Sequence, residues 1–229
     1  MLKMHAALDL RDVHLTLNSR AGAVNILRGV SVHASAGEAI GIVGPSGSGK
    51  TSLLMVIAGL EAVTTGQIMV NGDSLGGRSE EQLAKFRRNT IGIIFQSFHL
   101  IPTMTAIENV AVPLEFKGVA NAMERARDGL DRVGLGHRLT HYPGQLSGGE
   151  QQRVAIARAV ASGAKILLAD EPTGNLDQET GSHIIDLLFE LKEKENATLL
   201  LVTHDRALAN RCNRILEVRD GLVTEGKTP

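Results

Sequence analysis

Eight consecutive residues, GPSGSGKT from Gly44 to Thr51, have the types and spacing that bind phosphate groups. Glycines let backbone N–H groups turn inward around an anion, and Lys50 adds a positive charge. Thr51 offers a hydroxyl to Mg²⁺, and the helix that follows directs its positive end at the nucleotide. We call Gly44–Thr51 the phosphate loop. The residues expected to bind the nucleotide are Gly44, Pro45, Ser46, Gly47, Ser48, Gly49, Lys50, Thr51 and Ser52.

A magnesium-bound nucleotide also needs carboxylates, and two of them end the apolar run ILLADE. We expect Asp170 to hold the metal and Glu171 to polarise the attacking water. His204 follows the next apolar run, where a neutral imidazole is suited to contact the γ-phosphate. A histidine at a strand end is often only structural, so its assignment depends on the neighbouring motifs.

A second glycine-containing segment, Ser147-Gly-Gly-Glu150, precedes the helical pattern QQRVAIARAVA. We call it the SGGE segment. Adjacent glycines at a helix start expose backbone N–H groups and so indicate another anion site. S-x-x-E is also the pattern of a capping box. The box accounts for the Ser and the Glu but not for two poor helix formers, and both roles can coexist.

The pattern of apolar residues predicts an α/β domain interrupted by helices. Strands are expected at 8–17, 26–34, 38–43, 67–70, 91–95, 165–169 and 198–203. Helices are expected from the phosphate loop to about Gly59 and at 80–88, 106–116, 122–133, 150–161 and 179–194. We therefore expect one domain over 1–229, with a core of 1–96 and 163–229 and a helical subdomain of 97–162.

Composition narrows the possible functions. The 24 basic and 25 acidic side chains among 229 residues leave a net charge of -1, which argues against a nucleic-acid partner. The single cysteine, Cys212, fits a reducing compartment. No apolar run reaches the roughly 20 residues of a membrane span. We therefore expect a cytoplasmic chain without direct membrane insertion.

The ordered motifs GPSGSGKT, LSGGEQQR, ILLADEPTGNLD and VTHD make nearly the whole chain resemble the ATP-binding subunits of ABC transporters. The resemblance implies an α/β fold: a P-loop NTPase (RecA-like) core with an N-terminal antiparallel β subdomain and an inserted α-helical subdomain. It also implies an ATPase that uses Mg²⁺ as cofactor, with Thr51, Gln96 and Asp170 as metal-binding residues. The catalytic residues implied are Glu171, His204 and Gln96.

The resemblance also explains why one chain carries two anion sites. In the family, two copies pair head to tail, and each phosphate loop is completed by the other copy. The residues implied to bind ATP in trans are Ser147, Gly148, Gly149 and Glu150. Asp177, in the loop after Glu171, is implied to contact the other subunit. ATP then holds the homodimer together.

The sequence departs from the family pattern at the position expected to contact the adenine base. The family usually stacks adenine on an aromatic residue near the end of the first strand, where this sequence has Leu17. An aliphatic side chain covers a base with less stacking and cation–π character. The sequence therefore leaves open how strictly ATP is preferred to GTP.

Two further stretches, FRRNTIG with IFQSFHLIP and then TAIENV, resemble the lipoprotein-release and macrolide-export subgroup. This implies an inner-membrane complex in which the chain, on the cytoplasmic face, drives export, extraction or outward mechanical work through a separate integral membrane permease. Phe95, Phe98, Leu100 and Ile101 are expected to line the groove for the permease, or else to be ordinary core. The sequence does not identify the permease or the transported substrate.

Other functions remain as alternatives. An ATPase that regulates a cell-wall or cell-division enzyme through a membrane partner shares every motif but moves no substrate. A soluble ABC-type ATPase acting on nucleic acid or ribosomes usually has tandem cassettes, and only one phosphate loop is present. A P-loop kinase is disfavoured because no acceptor site is recognisable, whereas Glu171 suits water activation.

Overall fold

The computed structural model describes residues 6–19 and 22–226. These residues form two compact units, one made of residues 6–19, 22–87 and 197–226 and the other of residues 88–196. The boundaries predicted for the helical subdomain, 97–162, stay a prediction. Each unit contains candidate functional residues.

The first unit contains an antiparallel sheet of four strands in the order β2-β1-β4-β5. Along its long first strand Leu8 and Leu10 are buried, and after a register shift Val13 and Leu15 are buried, which is the period-2 pattern of a sheet with one face on the core. The strands are β1 (Ala6–Ser19), β2 (Gly22–Ser35), β4 (Thr65–Val70) and β5 (Asp73–Ser74).

Parallel strands in the same unit position the phosphate loop. In β3 (Ala39–Val43) and β8 (Thr198–Val202) every residue is buried, as expected of strands in a parallel sheet covered on both faces. β3 pairs in parallel with β8 and with β9 (Arg214–Arg219), and β9 pairs antiparallel with β10 (Leu222–Glu225). The helices are α1 (Lys50–Ile57), α2 (Glu80–Thr90), which spans the boundary between the units, and α7 (Arg206–Ala209).

The second unit is mostly helical and contains two parallel strands, β6 (Ile91–Phe95) and β7 (Ile166–Asp170). Its helices are α3 (Ala106–Phe116), α4 (Ala122–Arg132), α5 (Gly148–Ala161) and α6 (Gln178–Lys194). A short 3₁₀ turn, Pro143–Gln145, precedes α5. Buried Leu114, Leu130 and Ile156, one from each of α3, α4 and α5, belong to its core.

Most predicted elements agree with the structure within two residues, and β6 and α3 have the predicted bounds. The prediction for α5 began at Glu150, whereas the helix begins at Gly148 because Ser147 caps it. The short elements β5, α7, β9 and β10 were not predicted. Among residues 6–19 and 22–226, none of the helices combines the length and apolarity that a membrane span needs.

Candidate functional site

The phosphate loop joins β3 to α1, which is the strand–loop–helix arrangement that its sequence predicts. Lys50 is buried, and its Nζ donates to the carbonyl oxygens of Gly44 at 3.0 Å and Pro45 at 2.8 Å. The N-cap of α1 is Gly49, which provides no side-chain cap, and the first turn contains no acidic residue. The backbone N–H groups and the Lys50 charge therefore favour an anion at this end of the helix.

Neighbouring backbone fixes the path of the loop. A Cβ on Gly44 would lie 2.0 Å from the Val218 carbonyl oxygen, so only glycine fits there. The Gly221 N–H donates to the Ser48 carbonyl at 3.1 Å. The Ser48 hydroxyl is buried and has no hydrogen-bond partner among the described residues. A buried donor without a partner is unusual in a folded protein and is consistent with a polar ligand in this loop.

His204 lies in the same unit, beside the phosphate loop. β3 and β8 run in parallel with Ile42 opposite Val202, so both strands end at the same edge. A cavity of about 220 Å³ is lined by residues from the loop, from the segment after β8 and from β9: Val43, Gly44, Pro45, His204, Arg206, Glu217, Val218 and Arg219. His204 therefore lies beside the phosphate loop, and its role toward the γ-phosphate stays a prediction.

The two residues that follow His204 each form a side-chain interaction. The Asp205 carboxylate accepts from the Ala207 N–H at 2.7 Å and caps α7. Arg206 pairs with Glu217 of β9 at 2.6 Å. Leu17, the residue expected to cover the base, is 39% exposed on β1 and so is accessible to a ligand.

The two carboxylates lie in the second unit, at the end of β7. Phe95 of β6 is opposite Asp170, which places Gln96 and Glu171 immediately after the paired ends. Glu171 is half-buried and has a left-handed backbone with φ of 46°. This conformation is uncommon for a residue other than Gly, Asn or Asp, and such residues are concentrated at functional sites.

Gln96 contacts the loop that follows Glu171. Its Nε2 donates to the Asn175 side-chain oxygen at 3.3 Å, and Asn175 Nδ2 donates to the Gln96 backbone carbonyl oxygen at 3.0 Å. A Cβ on Gly174 would lie 2.6 Å from Gln96 Nε2, so glycine leaves room for this side chain. Asn175 was not a predicted site residue, because nothing in the sequence showed that these two loops meet.

Gln152 of α5 is a second residue that the sequence did not reveal. Its side chain is fully buried and donates to the Pro172 carbonyl at 2.7 Å. Pro172 directly follows Glu171, so this bond connects the helix that begins at the SGGE segment to the catalytic candidate. A helical pattern shows that Gln152 lies on α5 but not which carbonyl it reaches.

The SGGE segment forms the predicted capping box at the start of α5. The Ser147 hydroxyl accepts from the Glu150 N–H at 3.3 Å, and the Ser147 N–H donates to Glu150 Oε2 at 2.8 Å. The backbone N–H of Ser147, followed by Arg138, holds the pKa of Glu150 below its ordinary value of 4.5 against the opposing effect of burial. Glu150 is therefore a carboxylate at neutral pH.

Gly149 lies close to α6. A Cβ at this position would lie 2.6 Å from Thr180 Cγ2, so a side chain here would require Thr180 to shift. Asp177 is the N-cap of α6, where its carboxylate accepts from the Thr180 N–H at 2.9 Å. That backbone bond lowers the pKa of Asp177. Asp177 thus has a local role in addition to its predicted contact with another subunit.

The segment after Gln96 is held from two helices of the second unit. Phe98 and His99 both have left-handed backbones, with φ of 59° and 48°. The Arg158 guanidinium of α5 donates to their carbonyls at 2.8 and 2.6 Å, and burial lowers the pKa of Arg158. Buried Asn109 of α3 accepts from the Ile101 N–H at 2.7 Å and donates to the Ile101 carbonyl at 3.1 Å. Ile101 itself remains 37% exposed.

Comparison with known proteins identifies the family of the chain. The profile of the ABC transporter family matches residues 27–174. The "Uncharacterized ABC transporter ATP-binding protein YbbA" of Escherichia coli is 48% identical over 204 residues, covering 88% of this chain and 90% of that protein. The "Lipoprotein-releasing system ATP-binding protein LolD" of Acinetobacter baylyi is 44% identical over 218 residues, covering 94% and 96%.

A solved structure has the same fold. The dimeric post-hydrolysis state of the ATP-binding cassette MJ0796 bound to ADP and Pi superimposes with a TM-score of 0.89 at 39% identity, covering 97% of this chain and 99% of that one. The chain belongs to the ABC transporter family and is an ATPase of that type. The predicted P-loop fold and the resemblance to the lipoprotein-release and macrolide-export subgroup are confirmed.

Proposed function

We propose that the chain is the ATP-hydrolysing subunit of a bacterial inner-membrane complex that drives export, extraction or outward mechanical work through a separate permease. The observation that carries this proposal is the presence of two different helix N-termini suited to an anion. One is the uncapped, lysine-bearing start of α1, and the other is the glycine-rich start of α5. The names of the similar lipoprotein-releasing proteins support the coupling to a membrane process.

The two helix starts belong to one reaction if two copies of the chain associate. In this arrangement the phosphate loop of one copy binds ATP, and the SGGE segment of the other copy contacts the γ-phosphate. Asp177 also contacts the partner copy. The dimeric structures of the similar MJ0796 cassette support a homodimer.

A magnesium ion fits the residues available. Thr51, Gln96 and Asp170 would hold it through a hydroxyl, an amide oxygen and a carboxylate, which are the hard oxygen ligands that Mg²⁺ prefers. Within residues 6–19 and 22–226 there is no group of three or more His, Cys, Asp or Glu that would hold a metal by protein ligands alone. Mg²⁺ commonly relies on one carboxylate plus phosphate oxygens and water. When bound, it supplies positive charge to the phosphates.

The chain's own residues position the water and neutralise charge. Water attacks the γ-phosphorus, a new P–O bond forms, and the bond to the bridging oxygen of ADP breaks. Lys50 offsets the negative charge of the phosphates, while Glu171 accepts a hydrogen bond from the water and takes up its proton. Gln96 and His204 orient the water and the γ-phosphate. Such catalysis depends mostly on positioning and electrostatics.

The segment of Phe98 to Ile101 is the part of the chain that we assign to the permease. Arg158 and Asn109 hold its backbone from α5 and α3, and the Ile101 side chain stays exposed. An apolar surface on a fixed backbone suits an amphipathic helix from the cytoplasmic side of a membrane protein. In the proposed complex the chain lies on the cytoplasmic face of the inner membrane.

Glu171→Gln tests the reaction. Because Gln cannot accept the proton, we expect ATP hydrolysis to fall about 10²- to 10⁴-fold while ATP binding persists. ATP should then hold the variant as a dimer in size-exclusion chromatography. Glu179→Gln, at an exposed position in the first turn of α6, removes the same charge and should leave turnover unchanged. Undiminished hydrolysis by Glu171→Gln would remove this residue from its role.

A further inference from the structure

A chain of polar contacts leads away from the SGGE segment within the second unit. Glu150 uses one carboxylate oxygen for the Ser147 N–H, and its Oε1 accepts from Arg138 Nε at 3.0 Å. Arg138 Nη1 lies 3.1 Å from His141 Nε2. A guanidinium only donates, so Nε2 of His141 is the acceptor in this contact.

The segment that bears Arg138 is fixed to the start of α3. The Ala106 N–H donates to the His141 carbonyl at 2.8 Å, and the Ile107 N–H donates to the Leu139 carbonyl at 3.0 Å. The start of α3 has its own capping box, formed by Thr105 and Glu108. Arg138 is therefore not a freely moving surface side chain, because both its backbone and its guanidinium are held.

Glu150 creates an electrostatic problem that Arg138 relieves. The carboxylate lies in the first turn of α5, near the N–H groups that we assign to the γ-phosphate, and a negative charge there repels a phosphate. The Glu150 side chain is only 15% exposed, so water screens this charge weakly. Arg138, which is 36% exposed, offsets the charge and also fixes the carboxylate in the orientation that caps the helix.

We infer that Arg138, which also contacts His141, is a positioning residue for the SGGE segment: it sets the charge and geometry with which this segment meets the γ-phosphate in a second copy of the chain. This inference rests on the proposed function. Arg138 acts through Glu150 and does not contact the phosphate itself. Its effect therefore belongs to dimer closure and turnover rather than to the binding of ATP by one copy.

The chain offers a matched control in Arg132. This arginine of α4 pairs with Glu195 at 2.9 Å, and the two side chains are 56% and 28% exposed. Arg132→Met removes the same type of charge from a pair that does not involve the SGGE segment. We expect its turnover to equal that of the unchanged chain.

The experiment compares Arg138→Met, Arg138→Lys and Arg132→Met. For each we would measure the Kd of a fluorescent ATP analogue at a dilution that keeps the chain monomeric, ATP-dependent dimerisation, and kcat with KM. Arg138→Met should lower kcat about tenfold and weaken dimerisation, while the monomer Kd stays within about twofold. Arg138→Lys should recover part of the loss, because Lys keeps the charge without the planar fork.

A double-mutant cycle with Glu150→Gln keeps the inference testable if Arg138→Met reduces the folded fraction. Gln still completes the capping box but carries no charge. Arg138→Met should then lower kcat of the folded protein by less than about twofold in the Glu150→Gln background, which is coupling between the two sites. Equal effects in both backgrounds, or unchanged turnover in Arg138→Met, would overturn the inference. Absence of hydrolysis by the unchanged chain would instead overturn the proposed function.

Discussion

The starts of α1 and α5 are both glycine-rich helix N-termini, but they satisfy their backbone N–H groups differently. At α1, Gly49 supplies no cap, the first turn lacks acidic residues, and Lys50 is buried within the loop. At α5, Ser147 and Glu150 cap the helix reciprocally, and Glu150 places a negative charge there. The first helix start favours an anion by itself, whereas the second already has ligands from its own chain.

This difference indicates that the two helix starts have different functions. The phosphate loop is suited to bind nucleotide in a single copy, because its positive charge and open N–H groups are present without any partner. The SGGE segment is capped by its own side chains, and in our proposal it contributes to an anion site through N–H groups beyond those that the cap uses. Its affinity for a free anion should therefore be low, and its contribution should appear only when a second copy presents the phosphate.

The largest effects are expected from substitutions that change the charge at the start of α1 or of α5. Lys50→Ala should weaken ATP binding by a monomer about 100-fold, or about 2.7 kcal/mol, because it removes the positive charge from the phosphate loop. Gly148→Asp should leave monomer binding within about twofold but lower hydrolysis at least about 100-fold, because its carboxylate faces the incoming γ-phosphate. Isothermal titration calorimetry and a phosphate-release assay measure the two quantities.

Gly148→Ala is the control for size. A Cβ at Gly148 meets Leu176 Cδ2 at 3.2 Å, so the neighbour must shift slightly, and this variant shows how much of the loss is steric. If Gly148→Asp dimerises with ATP as well as the unchanged chain does, the SGGE segment does not face the phosphate and the comparison fails.

A smaller effect is expected from the cap itself. Ser147→Ala removes the hydroxyl that accepts from the Glu150 N–H and should cost about 1 kcal/mol in the free energy of unfolding. Thr105→Ala removes the corresponding cap of α3 and should cost a similar amount. Urea unfolding and steady-state hydrolysis would be measured for both. Only Ser147→Ala should lower turnover, and equal turnover losses would show that capping alone matters.

The smallest effect is the pH dependence of the free energy of unfolding that Glu150 contributes. The pKa of Glu150 is lower in the folded protein than its ordinary value of 4.5, so its stabilisation is present above that value and is lost as the pH falls through the lowered one. The unchanged chain should exceed Glu150→Gln in the free energy of unfolding by about 1 kcal/mol at pH 7. The gap should shrink as the pH falls below about 5. A gap that is constant to pH 3.5, measured by urea unfolding, would contradict a carboxylate stabilised in the folded state.

Sequence reasoning predicted the long elements well, since the periodicity of apolar residues defines β6, α3 and α5 locally. It did not predict α7 and the short strands β9 and β10, which follow His204. α7 has four residues and β10 alternates weakly, so neither gives a clear periodic signal. Their existence nevertheless matters, because β9 supplies Glu217 to the pair that holds Arg206 next to His204.

Within the candidate site, too, the sequence predicted residues in local motifs but not residues that act on distant parts of the chain. Lys50, Asp170, Glu171 and the SGGE segment were predicted because each lies in a short motif whose chemistry depends on adjacent residues. Arg138, Gln152 and Asn175 were missed, because each acts on a residue that is at least 12 positions away. No local pattern distinguishes them from ordinary polar residues on a helix or in a loop.

The sequence by itself determined the phosphate chemistry, the α/β class and the capping box at the SGGE segment. These depend on backbone preferences and side-chain types within a few residues, which the sequence records directly. Only the tertiary structure decided that Arg138 reaches Glu150, that Gln152 holds the backbone after Glu171, and that His204 lies beside the phosphate loop. Such contacts depend on how separate elements pack, and packing is set by the whole fold rather than by any one segment.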